Sequence, residues 1–184
     1  MKPTEILMEE HRVIERVLSA LEKASSRLSR GEDVYLRFFS GTSVLINGFT
    51  DSYHYRKEEK ILIPTLVEYG LAKDTGPIAV MLAEHEEGRR LSQKLGIVID
   101  RFQSGEIKVK DQVVISALAY VSLLRRHMDK EDRILFPMLE KVIPADRREQ
   151  IIDTFDRFEQ EVNGEEMHEK YYGMADRLVR ECVR

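Results

Sequence analysis

Cysteine is nearly absent from this chain of 184 residues: the one copy, Cys182, lies two residues before the end of the sequence. A single thiol excludes an internal disulfide and any metal cluster built on cysteine, and Cys182 is expected to be inert. Strong charge of either sign is also missing. The net charge is −4 and the basic residues are spread rather than clustered, which argues against nucleic acid or an anionic membrane surface as partner. The longest apolar run, Val113 to Leu124, is interrupted by two serines and stopped by Arg125 and Arg126. It is too short to span a bilayer and reads as a buried helix. The opening "MKPTEILMEEHR" has neither the apolar core nor the small-residue cleavage site of a signal peptide, so a soluble cytoplasmic protein is expected. Period-two alternation between turn signals is missing as well, which removes the case for strands.

What is there is helical periodicity. Leu7, His11, Ile14, Leu18, Leu21 and Leu28 recur at three-and-four spacing, with Thr4 as a candidate cap and Gly31 as a stop. A second helix is expected from near Asp33, with Thr42, Leu45, Ile46, Phe49, His54, Glu58 and Ile61 on one side. Pro64 should bend it, and Tyr69-Gly70 should end it. Pro77 opens a third helix, closed by "QSGE", and a fourth runs from about Lys110 to Val142. Pro144 separates these from a charged tail of one or two helices, broken near Asn163-Gly164. The predicted fold is all-α: an up-down-up-down four-helix bundle over residues 1–144, with a C-terminal helical extension over 145–184 packed on it.

Each of the four long helices places one histidine on its apolar stripe. His54 follows His11 by 43 residues and His127 follows His85 by 42, so the chain reads as two similar hairpins. The second helix of each hairpin carries His-x-x-x-Glu, in "HYRKEEKILIP" (54–64) and "HMDKEDRILFP" (127–137). Residues four apart share a helix face, so His54 points with Glu58 and His127 with Glu131. Either feature alone has a plain reading: a surface ion pair, or a histidine satisfied in the core. Four histidines at matching depth with a repeated carboxylate leave that reading behind. Two buried carboxylates facing each other repel, and metal ions resolve this. Imidazole with carboxylate suits iron, zinc, copper or manganese rather than calcium or magnesium. Carboxylates from facing helices can bridge two such ions. "HEEGR" (85–89) begins like a zinc-protease helix but ends in Arg89, and fails as one.

His11, "HYRKEEKILIP", the "EHEE" around His85 and "HMDKEDRILFP" together resemble the hemerythrin-like, or HHE cation-binding, domain family over roughly residues 4 to 142. The resemblance implies a non-haem diiron centre in a four-helix bundle. It implies His11, His54, Glu58, His85, His127 and Glu131 as the ligands, with Glu58 and Glu131 as bridges. It further implies a small ligand, O2, NO or peroxide, and a protein that binds or senses O2 or iron. Turnover of peroxide or nitric oxide, and iron storage or donation for iron–sulfur cluster repair, are the alternatives. The oxygen-carrying members have a second histidine one turn from the first on the third helix, where this chain has Met81 and Arg89. Their last carboxylate is an aspartate five residues after the fourth-helix histidine; here Glu131 comes four after His127.

The fifth histidine, His168, lies in the tail. If the tail folds back over the bundle, His168 supplies the missing imidazole as a seventh metal residue, or acts just outside the centre as a hydrogen-bond donor or lid. Tyr120, two turns before His127, is read as core or as a hydrogen-bond donor to a bound ligand, and Gly88 as a packing contact or as space for one. The segments Lys57 to Lys60 and Asp129 to Arg133 are read as solvated faces around the buried ligands.

Overall fold

In the computed structural model, which describes residues 2–162 and 164–182, helix α1 (Pro3–Ser29) opens on a proline whose missing N–H costs nothing at that position. The Lys2 N–H donates to the Glu5 carboxylate at 2.7 Å, closing the first turn. Thr4, expected as the cap, instead donates its hydroxyl to Glu140 and ties α1 to the fourth helix. Helix α2 covers residues 36–68, α3 Gly76–Gln103 and α4 residues 110–142, the last entered through a 3-10 turn at Ile107–Val109. Two further helices, α5 (Ala145–Glu161) and α6 (Gly164–Glu181), follow. No strand occurs among the described residues. Of the expected break, Gly164 begins α6 and Asn163 lies outside the described residues. The stops after α1 and α2 are glycines at φ +77 and +94, Gly31 and Gly70, a region that side chains disfavour.

The antiparallel neighbours α1, α2, α3 and α4 pack as a bundle, and α5 and α6 lie against its α1/α2 side. Helices α2 and α4 are not regular. α2 is π-helical over Ile46–His54 and again over Glu58–Leu62, and α4 over Glu131–Leu135. The chemistry behind the second and third of these is shared: Pro64 and Pro137 have no N–H to donate. The turn just before each widens, with Ile63 N–H reaching the Glu58 carbonyl and Phe136 N–H the Glu131 carbonyl. Both helices continue through their prolines.

The core falls into two apolar clusters. One holds Ile14, Leu18, Phe49, Tyr53, Leu124 and Met128; the other holds Leu7, Leu62, Met81, Leu135, Phe136 and Phe155. Between them, on all four bundle helices, runs a buried layer of histidine and glutamate.

Candidate metal centre

The six bundle residues singled out in the sequence meet in that layer. His11, His54, Glu58 and Glu131 form one buried group, and His85, His127, Glu58 and Glu131 a second. None of the six is more than 4% exposed. Glu58 and Glu131 belong to both groups, and each divides its two oxygens between them. Glu58 presents Oε1 to His54 Nε2 at 3.4 Å and Oε2 to His85 Nε2 at 3.1 Å. Glu131 presents Oε2 to His11 Nε2 at 3.2 Å and Oε1 to His127 Nε2 at 3.3 Å. Within each group the two Nε2 atoms are 3.1 Å apart.

The other ring nitrogens explain which way the imidazoles face. Each Nδ1–H donates to a carboxylate from another helix: His11 to Asp132 (2.8 Å), His54 to Glu10 (2.7 Å), His85 to Glu59 (2.8 Å) and His127 to Glu84 (3.2 Å). A carboxylate acceptor at Nδ1 leaves the Nε2 lone pair aimed at the centre, the usual arrangement behind a metal-bound histidine. These four acids were missed in the sequence. A signal was present: each lies directly beside a ligand candidate, and Glu10 with Glu84, and Glu59 with Asp132, are equivalent in the two hairpins.

Lys57, read as part of a solvated face, is instead fully buried. Its ammonium donates to Glu10 at 2.5 Å and to Glu159 of α5, and lies 4.2 Å from the centre of the Tyr53 ring. Burial alone costs too much for a lone ammonium, so the two carboxylates are what hold it there. Lys60, Asp129 and Arg133 are exposed as expected. Burial disfavours the Glu10 anion, but the His54 hydrogen bond and the Lys57 charge outweigh it and lower its carboxyl below the usual range.

The centre attracts positive charge. All four oxygens of Glu58 and Glu131 are buried without a directed hydrogen bond. Burial alone would favour neutral forms, yet it is overruled. His11 is pushed up to about 10 by the Asp132 hydrogen bond and the Glu131 carboxylate, and Glu131 is driven well below the carboxylate range by His127, His11 and His85. The same carboxylates that draw protons onto the imidazoles favour positive charge at the centre, and with four inward Nε2 atoms they fit a pair of cations.

His168 is not brought to the six. Its Nε2 lies 2.7 Å from the Tyr53 hydroxyl and 3.6 Å from Glu159, in a separate group with Glu10 and Glu159. Burial disfavours the Glu159 anion too, but His168, Lys57 and Tyr53 outweigh it and hold its carboxyl at about 2. Gly88 serves packing: a β-carbon there would come 3.1 Å from the hydroxyl of Tyr55, whose ring stacks on His85 at 3.8 Å. Tyr120 is fully buried, its hydroxyl without a partner. Cys182 is buried and unpaired.

A helical bundle with two shared-carboxylate histidine groups defines a protein built to hold cations in its core. The model of the hemerythrin HHE cation-binding domain matches residues 2–139, and the chain belongs to that family. The chain is also 26% identical over 161 residues to a protein of Mycobacterium bovis and to proteins of two strains of Mycobacterium tuberculosis, all named only as uncharacterized. The match takes in 88% of this chain and 62% of each relative. The chain thus spans less than two thirds of their length. No solved structure matches it significantly. Among the described residues, no helix is long and apolar enough to cross a membrane.

Proposed function

We propose that the protein holds two iron ions through His11, His54, Glu58, His85, His127 and Glu131, and uses them to bind or sense O2. The observation that carries this reading is the division of each bridging carboxylate between the two histidine pairs. Each ion would then be held by two imidazoles together with Glu58 and Glu131. Two imidazoles with carboxylate and open coordination positions are the donor set of oxygen-reactive non-haem iron. Zinc or manganese suits the same donors, and metal content separates them. The iron supplies the capacity to bind a diatomic molecule and to change oxidation state. The chain supplies the rest: carboxylates at every Nδ1 fix the imidazoles, and the two apolar clusters keep bulk water away. His11 also lines a surface cleft with Met8, Met128 and Asp132, a way in for a small molecule such as O2, NO or peroxide.

Anaerobic reconstitution with ferrous iron, followed by cycles of O2 and argon, tests the reading. An optical change that appears with O2 and reverses under argon is expected. Oxidation that persists under argon would contradict reversible O2 binding and favour sensing, peroxide or nitric oxide turnover, or iron storage.

A further inference from the structure

The two hairpins repeat each other around the centre, and the repeat breaks most deeply at one buried lysine. Glu10 and Glu84 are equivalent, orienting His54 and His127, and each takes a lysine, Lys57 or Lys130, from equivalent positions. Beyond that the halves part. Lys130 lies at the rim with its side chain 37% exposed, whereas the Lys57 side chain is 0% exposed. Helix α5 covers it. Glu159 accepts from the Lys57 ammonium, and Phe155 places its ring centre 5.7 Å from it. Glu159 is itself held in place. Gly164, the first residue of α6, lies so close that a β-carbon there would come 2.0 Å from Glu159 Oε2, and His168 stands 3.6 Å away.

A chain of contacts therefore runs from the His54 ring through Glu10 and Lys57 to Glu159, outside the bundle proper. Along it two carboxylates, Glu10 and Glu159, share one ammonium, with the His168 ring beside Glu159 at the outer end. On the His127 side, one carboxylate shares one ammonium in contact with water. Negative charge behind an imidazole raises its basicity and its hold on a cation. That charge is screened less where water is excluded.

Resting on the two-metal reading above, we propose that Glu159 is a positioning residue for the His11/His54 subsite. It acts through Lys57, Glu10 and His54, and makes this the tighter of two unequal metal positions. The extension thereby gives a nearly symmetric centre two distinct ends, one held under α5 and one, at His85 and His127, that exchanges its ion more readily.

Anaerobic titration of the chelated full chain with ferrous iron, followed by calorimetry and by Mössbauer spectra of the loaded form, decides it. The native chain should take up two ions in steps of unequal affinity. Glu159→Gln should weaken the tighter step by a few-fold, less than the roughly 10-fold or more expected for removing Glu10, the direct partner of His54, and leave the weaker step unchanged. Glu159→Asp, which keeps the charge, should restore most of the difference. Glu84→Gln should weaken the other step and widen the gap. Phe155→Leu, which loosens α5 without touching the charge, should leave both steps in place. Two ions with steps unaltered by Glu159→Gln, or a Phe155→Leu effect as large as that of Glu159→Gln, would overturn the proposal. Fewer than two ions in the native chain would instead overturn the two-metal reading on which it rests.

Discussion

Glu58 and Glu131 put two carboxylates at the centre of the bundle with no hydrogen-bond donor directed at them. Their charge is tolerable only where cations answer it. Chelation should therefore lower the melting temperature by on the order of 10 °C, since a tightly bound ion stabilises only the folded chain. In Glu58→Gln/Glu131→Gln, differential scanning calorimetry with and without chelator should show that difference reduced to a few degrees. A native chain equally stable with and without chelator would mean that the carboxylates are satisfied by something else. Asp51 is another carboxylate with a buried oxygen that lacks a partner. Burial, only partly offset by the Ser92 hydrogen bond, lifts its carboxyl to about 6 from an ordinary 3.8. A raised carboxyl stabilises the fold while protonated; that contribution is present below about pH 4 and lost as pH rises through 6. Asp51→Asn should thus gain up to about 3 kcal/mol on the native chain between pH 4 and pH 7.5, read by urea denaturation at both. Equal differences at the two pH values would show Asp51 to be solvated.

Helix α2 shows what spacing reveals and what it hides. Its stripe steps by three and four as far as Phe49, and then by five to His54. That irregular step is the sequence trace of the π-helical stretch Ile46–His54, where the Tyr55 N–H reaches the Thr50 carbonyl. The four helices, the paired hairpins and the six inward residues were legible because periodicity and duplication are local. The burial of Lys57 was not. A lysine within "HYRKEEK" looks solvated until α5, a hundred residues further on, is laid over it with Glu159. The fold-back of the tail was likewise legible only as a condition, and His168 came to rest on Tyr53 rather than among the six. What fixes α6 on α2 is close approach: a β-carbon at Gly48 would fall 1.8 Å from the Tyr171 hydroxyl oxygen. Gly48→Ala should therefore destabilise the protein by about 1–3 kcal/mol. Gly173→Ala, within α6 and meeting nothing within 4 Å, should be neutral or stabilise it by up to about 1 kcal/mol. Chemical denaturation of the pair checks this, and equal effects would argue against that docking.

Across the whole molecule, two apolar clusters enclose one charged layer, and the extension covers one end of that layer. The family match ends at residue 139, before α5 and α6 begin, so Glu159 and His168 lie outside the matched residues while their partners Lys57 and Tyr53 lie within them. The central claim is two ions per chain on six named residues. Metal analysis of protein purified from iron-supplemented cells tests it most directly, on the native chain and on His54→Ala and His127→Ala, one change in each histidine group. Two ions per native chain are predicted, with fewer in each variant. One ion or none in the native chain, with all six residues intact, would contradict it.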